Sequence, residues 1–265
     1  MDFKVFDDNL FLLEKIFGKE EVLQKLERLK FIYKNTEESW FKNLEHFQDS
    51  EVKYILICEA PPYSESEIPV YFYNEINRKF NTTIWNTFFD SAKPALENEY
   101  YKKLAEKGFL LIDNLPYSMN FEKHRKKQAY KSLMKGCLEW ILNKLNNKNL
   151  KFSEDLKIVF GFKINGETFI DITNGKLELC KSRFIEFDKN NIAYDGSGSP
   201  NKNILKEKFF GKTSIFKFYK GESENPYCKK EDFQLNFSNP KSLFWYYEKH
   251  FDELEDENKD YKKYI

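Results

Sequence analysis

Lys53-Tyr54-Ile55-Leu56-Ile57-Cys58-Glu59-Ala60-Pro61-Pro62 is the stretch whose reading decides the fold. Tyr54 to Cys58 is an unbroken apolar run rich in β-branched and aromatic residues, the pattern of a strand buried on both faces at the centre of a parallel sheet. Pro61 and Pro62 end it, because proline has no N–H to give to a ladder. In an open α/β sheet, ligands bind beyond the carboxyl ends of the strands. Glu59, one residue past the run, is therefore the first functional candidate, and the plain alternative is that it is a solvated loop residue.

The same logic recurs twice. Phe109 to Ile112 is a buried-type run that gives way to Asp113, Asn114 and then Pro116, and Leu156 to Gly161 is a third. Between these runs lie helical patterns. Ile84, Trp85, Phe88 and Phe89 share one face behind Thr82 or Thr83 as a cap, a helix runs from about Pro94 to Lys107 with Gly108 at its end, and another carries Leu133, Cys137, Trp140, Ile141 and Leu145. Strand–helix alternation predicts an α/β, three-layer sandwich with a small, mainly parallel central sheet flanked by helices. Leu10 to Ile16 and Val22 to Ile32, with apolar spacings near three and four and Gly18 between them, predict N-terminal helices over residues 8–48.

Past Gly161, Asn165-Gly166 and Asn174-Gly175 are turn signals, and Leu177 to Phe187 reads as a strand or strand pair. Tyr194 to Asn203 is loop-like, Thr213 to Tyr219 reads as a final strand, and Leu243 to Tyr247 is an aromatic helix before an acidic tail. The division is thus an N-terminal helical extension over 1–50, an α/β domain over 51–220, and a C-terminal aromatic helix with a charged tail over 221–265.

In 265 residues, Lys plus Arg and Asp plus Glu balance at 43 each. The chain as a whole lacks the basic excess of non-specific nucleic-acid binders, so any nucleic-acid site is local. Cys58, Cys137, Cys180 and Cys228 are far apart with no Cys-x-x-Cys pair, which argues against zinc and iron–sulfur centres built on close pairs. No metal and no cofactor is expected. The N-terminus lacks the basic-then-apolar order of a secretion signal and no apolar run approaches the roughly 20 residues of a span. The expectation is a reduced, cytoplasmic protein with no membrane partner. Dinucleotide, P-loop and Gly-x-Ser-x-Gly hydrolase motifs are absent.

Three strand-end segments in this order resemble the uracil-DNA glycosylase superfamily. Cys58-Glu59-Ala60-Pro61-Pro62 is similar to the Gly-Glu-Ala-Pro-Gly motif of some branches, with Glu, Ala and Pro kept and both glycines replaced. In the branch that reads Gly-Gln-Asp-Pro-Tyr-His, the water-activating aspartate would fall on Ala60, so the resemblance leaves the carboxylate role to Glu59. The family's second strand ends in a base-reading asparagine, for which Asp113 and Asn114 both stand available. Its last motif, His-Pro-Ser-Pro, corresponds best to Ser197-Gly198-Ser199-Pro200, which lacks the histidine.

The resemblance implies a DNA-repair hydrolase that takes a base out of the stack, which requires a pocket, aromatic and amide groups to hold the base, and a carboxylate near the sugar. Glu59 and Asp113 are the catalytic candidates, and Tyr63, Phe72 or Tyr73 with Asn114 would hold the base. Ser197, Ser199, Asn201 and Lys202 with Lys123, Arg125 and Lys127 would meet phosphate. The implied partner is DNA or a nucleotide, with a protein partner for the C-terminal aromatic helix. The alternative is a non-catalytic binding module on the same fold.

Overall fold

The computed structural model describes residues 3–179, 183–193 and 200–211. The deciding run is β1 (Val52–Cys58), with β2 (Phe109–Asp113) and β3 (Phe152–Phe160) on either side in the order β2-β1-β3. Both pairings are parallel. Tyr54 sits opposite Phe109 and Cys58 opposite Asp113, so the polar ends of the first two strands emerge side by side. Every residue of β2 is buried, as are the last four of β1, which is why both read as continuous apolar sequence.

Helices cover both faces. The N-terminal segment forms α1 (Lys4–Asp8), α2 (Leu10–Phe17) and α3 (Lys19–Asn43), with Gly18 at φ 92° separating the last two. Phe6, Leu13, Leu29 and Trp40 from these helices join the same core as the strands. Then follow α4 (Lys79–Phe88), α5 (Glu97–Glu106), α6 (Gln128–Gly136), α7 (Leu138–Leu145) and α8 (Lys163–Thr173). An antiparallel pair, β4 (Lys176–Leu179) and β5 (Arg183–Glu186), precedes α9 (Lys202–Phe210).

Pleating assigns the layers. The paired Tyr54 and Phe109 share a face, on which Phe88 of α4 and Phe209 of α9 rest with ring centroids 5.1–6.2 Å away. Phe160 pairs with Ile57 and so points to the other face, where Phe169 of α8 meets it at 5.3 Å. The free edge of β2 is closed by side chains. The Tyr73 hydroxyl accepts from Leu111 N–H at 2.8 Å and donates to its carbonyl at 3.2 Å, and Trp40 Nε1 donates to the same carbonyl at 3.0 Å.

Several boundaries differ from the sequence reading. Helix α4 starts at Lys79, ahead of Thr82 and Thr83, whose hydroxyls donate back to the carbonyls of Arg78 and Lys79 instead of capping. Helix α5 starts at Glu97, leaving Pro94 in the preceding loop. The helix read through Leu133 and Leu145 is two helices that meet at Cys137. The third strand starts at Phe152 rather than Leu156.

Asn165-Gly166 is not a turn but lies inside α8, and the glycine is there for contact: a Cβ would stand 2.8 Å from Phe160 Cβ. Asn174 and Gly175, at φ 55° and 67°, do make the turn that ends α8. The strand read at 213–219, the aromatic helix at 243–247 and the charged tail lie outside the described residues.

Candidate functional site

The pleat also decides which candidates meet. Counting back along β2, Asp113, Leu111 and Phe109 share one face, and across from them stand Cys58 and Tyr54. At the carboxyl end of that face lies a cavity of about 360 Å³, floored by Cys58, Leu111 and Asp113 and walled by Pro61, Pro62, Tyr71, Phe72, Phe80 and Phe162. That volume is at the lower end of the roughly 300–1,000 Å³ of small-molecule sites. Asp113 is the sole carboxylate among the described lining residues.

Asp113 is only 4 % exposed, and its carboxyl makes no hydrogen bond with any described residue. Burial pushes it up to about 7; the charge of Lys144 opposes the shift, and Glu37 and Glu59 add to it. The Cys58 thiol beside it is pushed up by burial and by the two nearby acids, so it stays neutral.

The aromatic wall is fixed from behind. The carbonyl of Phe72 accepts from Asn81 Nδ2 at 2.9 Å and from the Tyr101 hydroxyl at 2.6 Å. Helix α4 places Phe88 over the start of β2 and Phe80 in the cavity at its end, so the helix runs against the strand direction. Its first turn, Lys79 to Asn81, therefore opens on the cavity with no side-chain cap, at the electropositive end of the helix. Exposed Arg78 and Lys79 form the rim there, Arg78 also pairing with Glu75 at 2.7 Å.

Glu59 and Asn114 turn to the opposite face. Backbone pairing continues one step past the strands, from Asn114 N–H to the Cys58 carbonyl and from Leu115 N–H to that of Glu59, both at 2.9 Å. Glu59 is 8 % exposed and accepts from Arg125 Nε at 2.8 Å, Arg125 Nη2 at 2.7 Å and the Tyr130 hydroxyl at 2.7 Å. Asn165 Nδ2 donates to the Tyr130 oxygen at 3.2 Å, and Asn114 Nδ2 donates to Asn165 Oδ1 at 2.8 Å. The Arg125 guanidinium lies 5.7 Å from the Phe162 ring centroid, so Phe162 stands between this network and the cavity.

The remaining candidates are dispersed. Tyr73 spends its hydroxyl on Leu111, and Tyr63 leans on α3 with Lys25 5.3 Å over its ring. Lys123 and Lys127 are exposed, the latter 2.8 Å from His124 Nδ1. Asn201 caps α9 by accepting from Asn203 and Ile204 N–H, and Lys202 is that helix's exposed first residue. Ser197 and Ser199 lie outside the described residues. The structure thus joins Phe72 with Asp113, and Glu59 with Arg125 and Asn114, as two groups.

Phe162, Tyr130, Asn165, Arg78 and Lys79 are the participants that sequence reasoning missed. A buried ion pair was missed too: Lys144 meets Glu37 and lies 4.1 and 4.7 Å from the Trp140 and Trp40 rings. Its signal was a lysine within the apolar stripe Trp140, Ile141 and Leu145. Among the described residues no group of three or more His, Cys, Asp or Glu side chains could hold a metal, and no helix is long and apolar enough to cross a membrane. Comparison with protein-family models, with curated proteins and with solved structures finds no match to this chain.

Proposed function

We propose that the cavity beyond β1 and β2 is a nucleobase site, holding a base turned out of a DNA strand or the base of a free nucleotide. The observation that carries this is Asp113, buried and unpaired at the floor of a cavity whose walls are aromatic and proline faces. A carboxyl on a cavity floor to which no described residue donates is a position for a ligand to complete, while flat aromatic walls suit a flat ring. Arg78, Lys79 and the open first turn of α4 suit the phosphate that such a base carries. The resemblance of Glu59-Ala60-Pro61 to the uracil-DNA glycosylase superfamily supports the same reading.

Holding without cleaving is the better-supported form. Glu59, the carboxylate that the resemblance puts near the sugar, is on the other sheet face with its oxygens taken by Arg125 and Tyr130. Hydrolysis of the N-glycosidic bond is the second reading. It is favoured by the near-neutral titration of Asp113, which suits a group that exchanges a proton with water or with the departing base.

The test is base release and binding, recorded together on single- and double-stranded oligonucleotides carrying uracil, hypoxanthine, xanthine or an alkylated base. Salt-sensitive binding without release supports the binding reading. Release that Asp113→Asn abolishes and Glu59→Gln retains establishes the hydrolytic one. Neither binding nor release, on oligonucleotides or on free nucleotides, overturns both.

A further inference from the structure

We infer that the base this cavity selects is one that presents two adjacent N–H donors on its edge, as guanine does with N1–H and its 2-amino group. The inference rests on the nucleobase reading above and adds which base. It starts from the kind of polar group at the cavity floor. An asparagine there, or a carboxyl that keeps its proton, would offer one donor and one acceptor, matching the mixed edges of uracil or hypoxanthine. The carboxylate left when Asp113 gives up its proton offers two acceptors and no donor, and two N–H groups arriving on it hold it in that form.

The structure leaves both Asp113 oxygens to the ligand. No described residue donates to them, and the neighbours that share the cavity floor, Cys58 and Leu111, bring a neutral thiol and an alkyl side chain. Asn114, the amide one residue on, faces the other side of the sheet and is bonded to Asn165, so it cannot supply the missing donor. Lys144, whose charge acts on Asp113, is itself paired with Glu37. A ligand edge with two parallel N–H groups would satisfy the carboxylate in the two-pronged manner that a guanidinium does, with charge-assisted hydrogen bonds. Uracil would set its carbonyl oxygens against the carboxylate, and adenine would set N1 against it.

Neighbouring features fit a purine nucleotide. Phe72 and Phe162 provide apolar faces on the cavity wall, and exposed Arg78 and Lys79 stand on the rim where a 5′-phosphate or a strand phosphate would lie.

The experiment is calorimetric titration of the full chain at about pH 8, where Asp113 is mostly ionised, with guanosine, inosine, adenosine, uridine and cytidine 5′-monophosphates. A second arm uses oligothymidylate with and without one guanine, to separate a free nucleotide from a base in a strand. Guanosine monophosphate is expected to bind at least about tenfold more tightly than inosine monophosphate, which lacks only the 2-amino donor; that is the loss of one charge-assisted hydrogen bond. Asp113→Asn should erase the difference, and because the inosine comparison uses the unaltered chain, the test survives if that variant does not fold. Binding of several nucleotides without this preference, or with uridine or adenosine preferred, overturns the guanine assignment and leaves the nucleobase site standing. Binding of none, free or in a strand, overturns the nucleobase site itself and the assignment with it.

Discussion

The guanidinium of Arg125 grips the carboxylate of Glu59 at 2.8 and 2.7 Å, on the sheet face away from Asp113. Arg125→Ala would strand a carboxylate that is nearly buried, and breaking a buried pair from one side costs about 3–5 kcal/mol. The Arg125 side chain is 24 % exposed, so water reaches the pair and about 2–3 kcal/mol is expected, measured by urea unfolding. Glu59→Gln added to Arg125→Ala should recover part of that loss. Simple additivity of the two changes would show that the pair is not coupled.

The sequence offers Tyr73 as a base-stacking candidate, and the structure gives its hydroxyl to the backbone of Leu111. Tyr73→Phe leaves that N–H without a partner on the edge of β2, for a cost of about 1–3 kcal/mol. Amide exchange at Leu111 should accelerate selectively, while nucleotide affinity stays within about twofold because Tyr73 does not line the cavity.

Phe162 is half-buried and stands between Arg125 and the cavity. Phe162→Ala should weaken nucleotide binding by about 1–3 kcal/mol, the worth of one stacked base, with little change in unfolding midpoint. An unchanged dissociation constant would remove Phe162 from the site.

The strands were legible because Tyr54 to Cys58 and Phe109 to Ile112 are apolar without interruption, which only two-sided burial explains. The parity of Glu59 and Asp113 was not legible, since it depends on the pairing of Cys58 with Asp113 across 55 residues of chain, a relation that no local pattern records. Gly166 misled for a related reason. Its turn-like neighbour Asn165 and its own lack of a side chain look local, but both serve contacts made by α8, with Asn114 and Tyr130 on the one hand and Phe160 on the other.

Gly166→Ala tests that account. The added Cβ would meet Phe160 Cβ at 2.8 Å and Ile192 Cγ1 at 3.0 Å, so α8 must shift or Phe160 must move. A loss of about 1–3 kcal/mol is expected, against the gain of up to about 1 kcal/mol that alanine brings to an unhindered helix interior. A more stable variant would mean that α8 is free to move away from β3.

Asp113 makes the stability of the fold depend on pH in a direction opposite to that of a salt-bridged carboxylate. Its folded pKa of about 7 lies above the 3.8 of an unperturbed group, so between these values the folded chain holds a proton that the unfolded chain has released. Its contribution is therefore fully present below about pH 4, falls as pH rises, and is gone above about pH 7, with a slope of at most about 1.4 kcal/mol per pH unit. Burial is the chief cause; Lys144, itself held by Glu37, opposes it, and Glu37 and Glu59 add to it, so the net span is of the order of a few kcal/mol. Asp113→Asn removes the titration and nothing else of similar pKa lies on that floor, the Cys58 thiol being displaced upward. The variant minus parent difference in unfolding free energy should thus grow in the variant's favour from pH 4 to pH 7 and level off beyond. A difference that stays flat over that range would mean that the carboxyl is ionised in the folded protein throughout, and that a positive group or solvent reaches it. A penalty of that size at neutral pH fits the proposed nucleobase site, in which the partner of Asp113 arrives from outside.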